Sequence, residues 1–179
     1  MVLYGLRDLI GADSLNAALR EFKNEYAFKT DPPFAGANNL YDCLQKHVPD
    51  SLQYYLTDTW QKITLYDNKI VEVKASPTGV QDEYEVTVKI DAGKVWIDDK
   101  GNDVVAKSMN DFIDIGIFSA DTKSREGWLQ TNPLYLHKYK FTAGEHTLHI
   151  KVKGKPVRAG IDPYGKLIDR LPGDNMKDL

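Results

Sequence analysis

The sequence predicts an α+β protein: a short N-terminal segment of about four helices, then an antiparallel β-sandwich and an extended C-terminal tail. Three observations carry this. Apolar residues recur at three- and four-residue spacings up to about Gln61, the period changes to two from Ile63, and proline, glycine and charge dominate after Lys155. The implied division is 1–61 helical, 62–157 sandwich and 158–179 tail.

In the first helix Val2, Leu3, Leu6, Leu9 and Ile10 fall on one face before Gly11 stops the turn. It opens on an apolar residue with no capping partner, as a helix cut short at its start would. Asp13 or Ser14 is expected to cap the second helix, whose stripe is Leu15, Ala18, Leu19, Phe22 and Tyr26. Thr30-Asp31-Pro32-Pro33 ends it, because proline lacks the helical donor and forces its predecessor into extended geometry. A third helix runs from Asn38 or Asn39 to His47. Pro49 and Ser51 open a fourth, with Leu52, Tyr55, Leu56 and Trp60 as its stripe. The strand candidates are 63–75, 83–97, 112–118, 134–141 and 145–152, rich in β-branched and aromatic residues. Asp91-Ala92-Gly93, Asp99-Lys100-Gly101-Asn102 and Thr142-Ala143-Gly144-Glu145 are short enough for local reversals, hence the antiparallel expectation. The segment 155–179 reads as extended chain needing a surface, with Ile161, Leu167 and Ile168 as anchors.

Composition narrows the function classes. Of 179 residues, 42% are hydrophobic and 27% charged, ordinary globular usage in which roughly 70% of the unfolded surface can be buried. With 23 basic against 26 acidic residues and no basic block, electrostatics gives no reason for a nucleic-acid or anionic-membrane partner. Apolar runs fall far short of the roughly 20 residues that cross a bilayer, and Met1 to Arg7 lacks the pattern of a signal peptide. The expectation is a cytosolic chain or one whose leader lay upstream. The single Cys43 excludes an internal disulfide and a thiolate zinc cluster.

Chemistry-bearing motifs are few. His47, His137, His146 and His149 form no His-Glu-x-x-His, and the strand period sends His146 and His149 to opposite faces. Cys43 and His47 share a helix face one turn apart, a dyad without an oxyanion device or third group. No nucleophile elbow or phosphate loop is present. Asp98-Asp99 and the pair Asp111 and Asp114 offer hard oxygens that suit calcium, against the plainer reading of solvated turns. Tyr54, Tyr55, Trp60, Trp96, Trp128, Tyr135 and Tyr139 could form a stacking platform for a glycan or peptide, against the plainer reading of core.

Several strings resemble one family. Met1 to Gly11 resembles the helix that follows a Tyr-x-Lys-Gly element in aminopeptidase N-like zinc peptidases, and Leu15-Asn16-Ala17-Ala18-Leu19-Arg20-Glu21-Phe22 the next helix. Thr57-Asp58-Thr59-Trp60-Gln61-Lys62-Ile63-Thr64-Leu65-Tyr66-Asp67-Asn68-Lys69 and Ala159-Gly160-Ile161-Asp162-Pro163-Tyr164-Gly165-Lys166-Leu167-Ile168-Asp169-Arg170 are similar to bacterial members fused behind an ABC transporter permease-like membrane region. The resemblance covers nearly the whole chain. It implies zinc-assisted hydrolysis of N-terminal peptide bonds in the parent, with the two His and one Glu ligands, the general base and the transition-state tyrosine all upstream of Met1. Tyr4 falls after the Lys-Gly position and is not that tyrosine. The chain is therefore expected to carry no catalytic, cofactor-binding or metal residue and no cofactor of its own. It would act as a non-catalytic C-terminal portion, soluble in itself, of a parent in a bacterial membrane. Its expected partners are the absent catalytic part and, through the first two helices, a second copy of itself; no direct membrane insertion is expected. A stand-alone β-sandwich binding module for a glycan or protein is the alternative, and a small enzyme built on Cys43 and His47 a third.

Overall fold

The computed structural model describes residues 2–32, 34–119 and 133–179, which divide into two compact units, Met1–Ile63 and Thr64–Leu179. In the first unit, α1 (Val2–Ile10) and α2 (Ala12–Tyr26) are separated by Gly11, whose φ of 84° is a conformation glycine adopts without steric cost. Gly11 occupies the cap position, and neither Asp13 nor Ser14 makes a capping hydrogen bond, so the expected side-chain cap is replaced by a backbone turn. The third helix, α3 (Ala37–His47), is capped as its sequence allows, with the Gly36 N–H donating to Asn39 Oδ1 at 2.9 Å. The fourth is not one regular helix. A 3-10 turn (Asp50–Leu52) leads into α4 (Gln53–Leu56) and then a π turn (Thr57–Gln61), where Thr59 Oγ1 donates to the Tyr55 carbonyl at 2.6 Å.

Leu6, Leu15, Ala18, Cys43, Leu44, Leu52, Tyr55 and Leu56 are buried. In the stripe of α1, Leu6 is fully buried while Val2, Leu3, Leu9 and Ile10 are half-buried. The Tyr55 hydroxyl donates to the Val2 carbonyl at 3.0 Å and so ties the end of this unit to its beginning.

The second unit is built from ten strands: β1 (Ile63–Tyr66), β2 (Lys69–Pro77), β3 (Glu83–Ala92), β4 (Lys94–Ile97), β5 (Asp103–Val105), β6 (Asn110–Ser119), β7 (Pro133–Thr142), β8 (Gly144–Lys153), β9 (Pro156–Ile161) and β10 (Met176–Asp178). They form sheets ordered β2-β3-β8, β10-β9-β6-β7 and β1-β4-β5. Val86, Val88 and Ile90 of β3 with Ile150 and Val152 of β8 meet Ile113, Ile115 and Ile117 of β6 with Ala159 and Ile161 of β9 in one core, which makes the unit an antiparallel sandwich. The alternation along β3 is the period-two signal of the sequence made visible. Two of the long strand candidates are each interrupted: 63–75 breaks at Asp67-Asn68 and 83–97 at Gly93. Gly93 is tight against the other break, since a Cβ there would lie 3.0 Å from the Asp67 carbonyl oxygen.

The tail is not a separate element. Residues 156–161 pair with β6, and 176–178 with β9, so the surface it needs is the sandwich's own sheet. Gly160 stands opposite Met176, and a Cβ there would lie 2.0 Å from the Met176 sulfur; only glycine lets the last strand approach. Asp174 and Lys177 carry the tail to β2, the first accepting from the Ile70 N–H at 3.0 Å and the second donating its ammonium to the Val71 carbonyl at 2.7 Å.

Candidate functional site

The two strings that carry the family resemblance meet. Tyr66 forms an isolated bridge with Asp169; its N–H donates to the Ile168 carbonyl at 2.8 Å, and its carbonyl accepts from the Arg170 N–H at 3.0 Å. The Asn68 N–H donates to the Asp169 carboxylate at 3.0 Å. From this seam the side chain of Tyr66 runs inward, where its hydroxyl donates to Asp111 Oδ2 at 2.8 Å. Lys94 Nζ donates to the same oxygen at 2.6 Å, and both ionic side chains are only 3% exposed. The ammonium also sits 5.8 Å from the centre of the Tyr66 ring and 6.0 Å from that of Trp96.

A second buried charge, Asp114, lies three positions after Asp111 on β6. Asp114 is flanked by Lys166 at 2.6 Å and Lys138 at 3.1 Å, and its backbone carbonyl accepts from the Asp162 N–H at 2.8 Å. Asp162 takes a left-handed φ of 44°, which lets its carboxylate accept the N–H groups of Lys166 and Leu167, each at 2.9 Å. Burial pushes the Asp162 carboxyl up to about 6, against the pull of those two donors. The Ala-Gly-Ile-Asp-Pro-Tyr string thus ends in a turn whose purpose is local: it presents Lys166 to Asp114.

These contacts decide the calcium reading. Asp111 and Asp114 are neutralised by lysines, and the donor set around each holds an ammonium where a hard cation would sit. Asp98 spends its carboxylate on the N–H groups of Lys100 and Asn102 and the Asn102 amide, which holds it below the usual carboxylate range and shapes the β4–β5 turn.

The histidines are dispersed. His146 contacts the Thr142 carbonyl at 2.8 Å and the Phe141 ring, while His149 contacts Thr87 Oγ1 at 3.2 Å on the outer face. His137 stands between Tyr135 and Tyr139 on one face of β7, with ring centroids 5.9 and 6.2 Å away. The two tyrosine hydroxyls are 2.5 Å apart, and burial followed by that hydrogen bond pushes the Tyr135 phenol up to about 12. Of the other platform candidates, Tyr55 is core, Tyr54 and Trp60 are half-buried in the helical unit, and Trp96 is on β4; Trp128 lies outside the described residues. Among the described residues, Tyr135 and Tyr139 are the two of these candidates whose hydroxyls meet.

In the helical unit His47 does not pair with Cys43. Its Nε2 lies 2.8 Å from Glu21 Oε2, and Lys46 holds Glu21 Oε1 at 2.6 Å; these two hydrogen bonds, Lys46 first, hold the Glu21 carboxyl below its usual range. Cys43 is buried, and burial, then the nearby Glu21 carboxylate, pushes its thiol up, the reverse of what a nucleophile needs. Sequence inspection missed Glu21 and Glu25 because they are on α2 while the cysteine is on α3. Their i, i+4 spacing was the available signal.

No family model matches the chain. A search of curated proteins finds no match either.

Proposed function

We propose that this chain is a non-catalytic C-terminal portion of an aminopeptidase N-like zinc peptidase, of the kind joined to a permease-like membrane region in bacteria, and that its work is mechanical support of the peptide-hydrolysing part. The observation that carries the reading is the seam at Tyr66. The two strings that resemble the family, about a hundred residues apart in the chain, are hydrogen-bonded to each other, and the acidic groups nearest them are spent on lysines and backbone donors. Support of this kind needs rigid, internally satisfied charge rather than a free acid or base. The order of helices followed by a sandwich agrees with the same reading.

Sequencing the reading frame upstream of Met1 tests it. A Tyr-x-Lys-Gly element running into Met1, with His-Glu-x-x-His further upstream, is the expected result; an upstream frame without either, or an initiation site at Met1 itself, would reject it.

The binding-module reading draws on one observation, the Tyr135, His137 and Tyr139 row on β7. Two aligned aromatic rings make a small platform, and His137 is exposed between them. Glycan-array binding that Tyr139→Ala abolishes would favour it over the support reading.

A further inference from the structure

Glu21 and Glu25 of α2 and Cys43 of α3 form a group whose ligand atoms all lie within 4.8 Å of one another. We propose that they hold a divalent ion of borderline softness, of which zinc is the type, as a clip between α2 and α3. The i, i+4 spacing puts both carboxylates on one face of α2, and α3 packs against that helix with Cys43 facing them. The thiol is buried and has no hydrogen-bond partner among the described residues, and the one thiol of the chain lies within 4.8 Å of both carboxylates. Thiolate and carboxylate donors bind zinc at about 2.3 and 2.0–2.2 Å, so a tetrahedral set needs donor spacings near 3.5 Å. Closing the present group takes a movement of about an ångström, within reach of glutamate rotamers.

Outer groups are already placed. His47 contacts one oxygen of Glu21 at 2.8 Å, and the Tyr26 phenol beside Glu25 in the chain accepts from the Asn39 amide at 2.9 Å. Partners of this kind fix the direction in which a ligating carboxylate points. Lys46 and His47 between them engage both oxygens of Glu21, so an ion must displace the Lys46 ammonium, whose side chain is 59% exposed and, unlike Lys94, can swing into water. Three protein donors leave a fourth position for water. The inference is independent of the support reading, because it concerns an ion within the helical unit and assigns it no reaction.

Titration of the purified, reduced chain with cobalt(II) alone tests it. The expected result is one equivalent bound with the charge-transfer band of a cobalt–thiolate bond, competed away by zinc, and a thermal midpoint that rises with added zinc. Cys43→Ser should abolish the band. Because Cys43 is buried, the surface variant Glu25→Gln is run beside it, and should weaken binding at least tenfold with the helical circular dichroism unchanged. Absence of the band at saturating cobalt in folded protein would overturn the proposal. So would a band that Glu25→Gln and Glu21→Gln leave unaltered, which would mean an adventitious thiol adduct.

Discussion

In the helical unit the Lys46–Glu21 pair stands at the surface, its side chains 59% and 35% exposed, whereas in the sandwich the Lys94–Asp111 pair is 3% exposed on both sides. Geometry alone does not separate them, since both contacts measure 2.6 Å. Water does. An exposed pair trades hydration for a screened attraction and gains little, while a buried pair has already given up its hydration and depends on its partner. The helical unit therefore coheres through Leu6, Leu15, Leu44 and Leu56, and the sandwich adds to its apolar core a set of charges that fix where Tyr66, the turn at Asp162 and the tail lie.

The largest effect should come from breaking the buried pair on one side. Lys94→Met leaves the Asp111 carboxylate buried with only neutral donors, among them the Tyr66 hydroxyl and the Asn110 N–H, and should cost about 3–5 kcal/mol in urea unfolding. The double variant Lys94→Met, Asp111→Leu should recover most of that loss; a double variant as unstable as the single would mean that the pair itself, rather than an orphaned charge, supplies the stability.

Next is the tail. Gly160→Val places a branched side chain into the Met176 sulfur and should destabilise by about 1–3 kcal/mol, with the change concentrated in faster amide exchange of 174–178. Uniform loss of protection across β3 and β8 would show that the tail is inseparable from the rest of the sandwich.

Asp162 gives a smaller, pH-dependent effect. Its folded carboxyl is raised to about 6, above the ordinary value, so the folded state binds the proton more tightly than the unfolded one. The sign follows: this group adds stability as pH falls through 6 and withdraws it as pH rises. Between about pH 7 and about pH 5 the wild type should gain about 1–2 kcal/mol relative to Asp162→Asn, which does not titrate. Parallel pH profiles for the two proteins would remove the raised carboxyl from the account.

The smallest effect belongs to the exposed pairs. Lys46→Ala and Arg170→Ala, the latter losing a two-point contact with Asp103, should leave the urea midpoint essentially unmoved. A loss from Lys46→Ala as large as that from Lys94→Met would erase the contrast between the two units.

The legible part of the fold is the part with a period. Val86, Val88 and Ile90 announced β3 by alternation, and Leu15, Ala18 and Phe22 announced α2 by helical spacing. What the sequence hid has specific causes. Residues 103–105 and 176–178 are too short for any period, and the strand at 156–161 begins with a proline and ends before another, so composition reads it as loop. Gly11 stood where a side-chain cap was expected because the cap signal of Asp13 and Ser14 is local, while the turn is set by a backbone angle. The charged seam was invisible for a different reason: Lys94 and Asp111 are 17 positions apart and Asp114 and Lys166 52, and no spacing rule links residues across sheets. The same blindness hid Glu21 and Glu25 from Cys43, although the Cys43 and His47 spacing on one helix was plain.

The role proposed for this chain is to support peptide hydrolysis without performing it. The most direct measurement is release of a chromogenic amine from aminoacyl anilides by the purified chain, with and without added zinc. The account predicts a rate equal to the buffer blank under both conditions. Zinc-dependent turnover that disappears in Cys43→Ser or Asp111→Asn would contradict it and place a reacting centre inside these 179 residues.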